Sequence, residues 1–318
     1  MPFALDPEVA SGLEALTAAL PKGPPPAPGD LAAIKEFSKR FIDHAASIAK
    51  PAPGVSVQNL STTSEDSHTV PLYWHTKSGS SPGSVILYLH GGGMVASSAA
   101  SYRPIVSYLV SHSGVPALSV EFRNAPYSAP LQGVQDAYAG LIYLSSHAAD
   151  LKIDPERIVV VGDSGGGGLA ACLTHLVRER QGPRIAKQVL IYPMLDDRLG
   201  LASPDLHMAP FLTVDHATID TCWVGILGSR RGAEDVQPTE AAARMESAAG
   251  LPSMYLDVGD CDIFRDDCLK YVNRFWAEGI PAELHVWNGC YHGFDGAAPE
   301  ARVTQRAWDA RARAIQEV

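Results

Sequence analysis

The chain is short of cysteine, of basic residues and of long apolar runs, and each shortage removes a class of protein. Five cysteines in 318 residues (Cys172, Cys222, Cys261, Cys268 and Cys290) are too few, and odd in number, for a disulfide framework. Reduced, buried thiols in a cytoplasmic protein are the expectation. No stretch approaches the roughly 18 consecutive apolar residues of a membrane span. The N-terminal stretch carries Asp6, Glu8 and Glu14 without a basic cluster, which does not read as a secretion signal. Lys and Arg number 25 against 35 Asp and Glu, a net charge of −10 that repels polyanions. Neither nucleic acid nor an anionic membrane is therefore an expected partner.

What is present is globular. A hydrophobic fraction of 46% with 19% charged residues supplies a core and argues against disorder. Neither length nor charge decides assembly, and a homodimer is open. Residues 6–20 place Val9, Leu13, Leu16 and Leu20 at helical spacing, the proline-rich run Pro21–Gly29 interrupts, and Leu31, Ile34, Phe37, Phe41, Ile42, Ala45 and Ile48 form a second stripe. Residues 1–50 thus read as a helical arm.

From Val55 the texture changes. Val55–Leu60 and Thr69–Trp74 read as a strand pair, and the apolar run Val85–Leu89 as a strand buried on both faces. Strands over Pro116–Phe122, Arg157–Val161, Gln188–Tyr192, Met254–Val258 and Ala282–Trp287 follow. They alternate with helices over Leu131–Ser145, Leu169–Arg180, Arg265–Trp276 and Arg302–Ile315. The rhythm predicts an α/β fold: a mostly parallel, eight-stranded, doubly wound sheet over 51–194 and 251–318. Residues 195–250 break the rhythm at a length no ordinary loop of about 4–6 residues explains. With the N-terminal arm they read as a lid.

The apolar strand Arg157–Val161 runs straight into Gly162-Asp163-Ser164-Gly165-Gly166 and then a helical pattern. Glycines at 162 and 166 let strand and helix approach across a sharp turn that lifts the Ser164 hydroxyl into the open. A rival reading takes Gly165-Gly166-Gly167-Gly168-Leu169-Ala170 as a dinucleotide fingerprint. It wants an acid at the end of the next strand, and that strand ends Leu190-Ile191-Tyr192-Pro193. Strand Val85–Leu89 ends in His90-Gly91-Gly92-Gly93, where only glycine lets a backbone turn its amides onto a reacting oxygen. We assign an oxyanion hole to the amides of Gly91, Gly92 and Gly165, with His90 as the loop's anchor. Neither glycine cluster continues into Lys-Ser or Lys-Thr, so phosphate cradling fails.

Eleven histidines compete for the general base. His292 lies just past the last strand, where a base facing Ser164 belongs. His285 lies within that strand, His207 and His216 in the lid, His147 and His175 on helices. The orienting carboxylate should follow the penultimate strand. There Asp266 and Asp267 fall in a helical first turn, and local reading leaves Asp260 and Asp262 unseparated. The order Ser, Asp, His is that of α/β-hydrolases.

These motifs together resemble the hormone-sensitive-lipase-like family of carboxylesterases. His90-Gly91-Gly92-Gly93 matches its oxyanion motif, Gly162–Gly166 its Gly-Asp-Ser-Ala-Gly elbow, and His292-Gly293-Phe294 its histidine motif. Asp260–Asp266 is similar to its Asp-Pro-Leu-Arg-Asp segment, and that resemblance selects Asp262. It also identifies the N-terminal arm with the family's cap. Departures are Gly165 for the usual alanine, Ile263 for proline, and Tyr127 where glutamate is usual.

The resemblance implies a serine esterase needing no metal or organic cofactor, with a small-molecule ester as substrate. Rivals are a lactonase, an aryl formamidase or amidase with the same triad, and a silent ligand-binding protein of this fold, which the complete triad opposes. Met94, Val95, Phe211, Leu212, Trp223 and Phe294 are candidate pocket walls for short-chain, soluble esters. Cys261 and Cys290 flank the triad loops, so a bulky thiol reagent is a candidate inhibitor, against inert packing as the ordinary state of buried cysteine.

Overall fold

A computed structural model describes residues 3–19, 27–79, 83–127, 129, 131–199 and 208–318. Its eight strands are β1 (Val55–Thr63), β2 (Thr69–Lys77), β3 (Val85–Leu89), β4 (Ala117–Val120), β5 (Ile158–Asp163), β6 (Lys187–Ile191), β7 (Ser253–Gly259) and β8 (Ala282–Trp287). They form one sheet in the order β1-β2-β4-β3-β5-β6-β7-β8. The β1–β2 and β2–β4 pairs are antiparallel and every other pair is parallel. Every residue of β3, β4 and β5 is buried, which is why these segments are apolar runs without polar alternation.

The helices are α1 (Pro7–Ala19), α2 (Leu31–Ile48), α3 (Arg103–Ser113), α4 (Gln132–Ser146), α5 (Ala148–Leu151), α6 (Gly165–Arg180), α7 (His216–Leu227), α8 (Arg265–Ala277), α9 (Phe294–Ala297) and α10 (Arg302–Gln316). Helix α3 packs against α10, α4 against α6, and α8 against β7 and β8. Carboxylates cap the helices outside the alternating core. Asp6 accepts the Glu8 amide, Asp30 the Ala33 amide and Asp215 the Thr218 amide, at 2.9, 2.9 and 2.8 Å. Helix α2 lies against α7 and α9, so the N-terminal arm meets both the 195–250 segment and the loop after β8.

The short helices α5 and α9 and the longer ends of β1 and β2 are absent from the sequence reading, and two further helices differ in an instructive way. Helix α3 was not anticipated, although Pro104 at its start and Val106, Leu109 and Val110 on its buried stripe carry the signal. Helix α6 begins at Gly165 rather than Leu169. Glycine is a poor helix former, and here close packing overrides propensity. A Cβ on Gly166 would meet the Leu89 and His90 carbonyl oxygens at 2.2 and 2.3 Å, and one on Gly168 the Met194 carbonyl at 2.0 Å.

Candidate active site

Parallel strands bring their C-terminal ends to one edge, and the three expected side chains follow β5, β7 and β8 there. Ser164 stands between β5 and α6 at φ 53° and ψ −121°, a conformation non-glycine residues hold only under constraint. The constraint is visible. The Ser164 amide donates to the Ile191 carbonyl, and its own carbonyl accepts the Gly168 and Met194 amides, at 2.9, 3.0 and 2.9 Å. A Cβ on Gly162 would meet the Gly166 carbonyl oxygen at 2.3 Å, so only glycine lets strand and helix cross this closely.

Ser164 Oγ lies 2.8 Å from His292 Nε2, and His292 Nδ1 lies 2.9 Å from Asp262 Oδ2. Asp262 is fully buried and its other oxygen accepts the Phe264 amide at 2.9 Å. A buried carboxylate accepts and cannot donate, so Nδ1 carries the imidazole proton and Nε2 is left as an acceptor facing the hydroxyl. Tyr192 and Phe264 pack T-shaped with the imidazole, with centroids 4.8 and 5.0 Å away. From the 195–250 segment, Thr213 Oγ1 donates to the His292 carbonyl at 2.8 Å. Asp260, the alternative carboxylate, instead accepts the Gly289 amide at 2.7 Å.

The glycine loop corrects one expectation. The Gly91 amide donates to Asp163 Oδ1 at 3.1 Å, so it is not free to meet a substrate oxygen. Tyr88 and Tyr102 hydroxyls donate to the same carboxylate at 2.8 and 2.9 Å. Burial pushes the Asp163 carboxyl up to about 6 against those three donors. Past Gly91 the backbone runs through positive φ at Gly92, Gly93 and Met94 (111°, 64° and 59°). The Gly93 nitrogen comes within 2.6 Å of where a Cβ on Gly165 would stand. Among the described residues the amides of Gly92, Gly93 and Gly165 have no hydrogen-bond partner. The free donors beside the elbow are therefore Gly92, Gly93 and Gly165. His90 stacks on Phe122 at 4.2 Å, and its Nδ1 lies 2.8 Å from the Gly91 carbonyl.

The expected pocket walls divide. Val95, Trp223 and Phe294 have no exposed surface and belong to the core, which takes large apolar side chains wherever packing allows. Leu212 lines a cavity of about 400 Å³ behind Asp262, with Met208, His216 and Ile263. Phe211 ends a short 3₁₀ turn and is half-buried. Met94 lines a separate cavity of about 350 Å³, with Tyr127, Leu131, Leu169, Val224 and Leu227. Burial pushes the Cys261 thiol up to about 12 and Cys290 higher, which disfavours the reactive thiolate at both. His207 lies outside the described residues. Gly93, Asp163, Thr213 and Tyr192 were not anticipated. Only Gly93 carried a signal, as the last glycine of its loop.

Comparison with known proteins agrees with this fold. Residues 86–296 match the α/β-hydrolase-fold family. Carboxylesterase NlhH of Mycobacterium tuberculosis is 30% identical over 236 residues, covering 73% of this chain and 74% of its own. Ethyl acetate hydrolase of Pseudomonas putida is 29% identical over 266 residues, covering 81% and 82%. The structure of a bacterial heroin esterase superposes with a TM-score of 0.87 at 31% identity, over 99% of this chain and 98% of that one. This chain belongs to the α/β-hydrolase family, in its hormone-sensitive-lipase-like carboxylesterase branch.

Proposed function

We propose that the protein is a serine carboxylesterase acting on small esters through an acyl-enzyme on Ser164. The observation that carries this is the continuous row from Ser164 Oγ to His292 to Asp262 at 2.8 and 2.9 Å, beside three unpartnered amides. Several of its relatives are esterases by name, among them carboxylesterase NlhH and the ethyl acetate hydrolase.

Ser164 Oγ attacks the ester carbonyl while Nε2 takes its proton, and Asp262 stabilises the imidazolium that results. The carbonyl oxygen becomes an oxyanion received by the Gly92, Gly93 and Gly165 amides. Each such donor contributes roughly 3–4 kcal/mol to the transition state. The alcohol leaves with the proton from His292, and water repeats the sequence to release the acid. The residues of this cycle suffice without a metal or organic cofactor. The first turn of α6 points its amides and positive dipole end at the same oxygen.

The acyl or alcohol group enters the cavity that opens at Met94, whose apolar walls suit a compact hydrocarbon portion. We read the N-terminal arm and residues 195–250 as the cap over this edge, supported by the α2–α7 packing and the Thr213 hydrogen bond. A reducing cytoplasmic setting fits five free, buried cysteines. Initial rates on p-nitrophenyl acetate, butyrate and decanoate, a lactone and an anilide test the reading. The short esters should be fastest. A lactone or anilide turned over faster would replace it.

A further inference from the structure

Beside the imidazole lies a buried group of charges that the reaction cycle does not use. Arg311, on α10, has no exposed surface. Its Nε and Nη2 donate to Asp257 Oδ2 and Oδ1 at 2.6 and 2.9 Å, and its Nη1 donates to Asp295 Oδ2. Asp257 sits on β7, the strand leading to the Asp262 loop. Asp295 sits on α9, immediately after the His292 loop. Tyr192 closes the circuit, its hydroxyl donating to Asp295 Oδ1 and its backbone amide to the Asp257 carbonyl, each at 2.7 Å.

Two features of this circuit are costly. Tyr192 holds φ at +36° without being glycine, a backbone state that persists only where surroundings impose it. A buried ion pair is commonly no more stabilising than apolar residues of the same volume. The strained backbone belongs to the residue whose ring packs T-shaped with His292, centroids 4.8 Å apart, and the ion pairs hold its hydrogen-bond partners.

We propose that Tyr192 is a positioning residue for His292, held against the imidazole by the closed circuit through Asp295, Arg311 and Asp257. Asp262 restrains the imidazole only at Nδ1, so the rings of Tyr192 and Phe264 packed on it are what limit its tilt about that bond. Tilting moves Nε2 off the Ser164 hydroxyl, and a misplacement of about 1 Å costs on the order of a hundredfold in rate. The Tyr192 ring, packed T-shaped with the imidazole, blocks that tilt on its side. The inference rests on the reading of Ser164 and His292 as nucleophile and base.

Tyr192→Phe keeps the ring and removes only the link to Asp295, and Asp295→Asn loosens the same link from the other side. The measurement is kcat per site titrated with a fluorophosphonate, with KM read in the same assay. Both variants should lose about tenfold in kcat per titrated site with KM within about twofold of wild type. A purely structural role would lower the number of titratable sites and leave kcat per site at the wild-type value, which overturns the inference. Wild-type protein that neither hydrolyses esters nor takes the phosphonate would overturn the esterase reading and this inference with it. Active wild type with full kcat per site in both variants overturns this inference alone.

Discussion

The Gly91 amide donates to Asp163 Oδ1, so the residue preceding the nucleophile also ties down the first glycine of the oxyanion loop. One carboxylate thereby couples β5, the loop after β3, and Tyr102 at the start of α3. The coupling carries a cost, because no cation offsets the buried charge among its hydrogen-bond partners and burial lifts its pKa to about 6.

Asp163→Asn separates that cost from the benefit. A folded-state pKa above the unfolded value means stability is greatest while the group is protonated and is lost as pH rises from about 3.8 through about 6. The ionised carboxylate therefore destabilises the native state at neutral pH by roughly 3 kcal/mol. The asparagine variant should match wild type in melting temperature near pH 4 and exceed it at pH 7.5. Its kcat should fall about tenfold, because Gly91 loses a charged acceptor. A variant less stable than wild type at both pH values contradicts this account.

Gly165→Ala restores the alanine usual in the family and should be harmful here. Its Cβ would stand 2.5 Å from the Met94 nitrogen and 2.6 Å from the Gly93 nitrogen, both backbone atoms of the loop that must receive the oxyanion. The loop must retreat, and kcat should fall roughly ten- to hundredfold with a smaller change in KM. Wild-type kinetics in this variant would show that the loop yields freely.

Arg311→Met leaves Asp257 and Asp295 buried without their cation. The variant should lose about 3–5 kcal/mol of stability in urea unfolding. The triple replacement Arg311→Met, Asp257→Asn, Asp295→Asn should recover most of that loss, because the unpaired charge is what destabilises. A triple variant no more stable than the single one contradicts the electrostatic origin.

Alkylation of the native enzyme should leave activity intact. Cys261 and Cys290 flank the triad loops, yet both are fully buried and both thiols are pushed up in pKa. An hour with iodoacetamide at pH 7.5 should modify neither and change the rate by less than about 10%. Inactivation that tracks modification of either cysteine would reverse the conclusion.

Much of this is legible in the sequence because it depends on local chemistry. The sequence reading of Val85–Leu89 matches β3 to the residue, since an apolar run between breakers has few alternatives, and that of Ala282–Trp287 matches β8 although its polar residues interrupt the pattern. Ser164 and His292 stood out because a strand ending in Gly-x-Ser-x-Gly, and a histidine past the last strand, mark one sheet edge. Asp262 needed the family resemblance, because Asp260 sits two residues away and only the fold shows it turned to Gly289. Gly91 was misassigned for a similar reason. Which glycine amide is free depends on Asp163, about 70 residues away in the chain, and spacing carries no trace of that bond. Val95, Trp223 and Phe294 failed as pocket walls because an apolar side chain near a motif looks the same in sequence whether it faces a cavity or the core.

The most direct test of the central claim is the site and rate of covalent labelling by a fluorophosphonate, read by mass spectrometry of the digested protein. The account predicts a single adduct on Ser164 in the wild type, and a labelling rate lowered at least a hundredfold in His292→Ala. An adduct on another residue, or labelling of Ser164 at an undiminished rate without the imidazole, would contradict it.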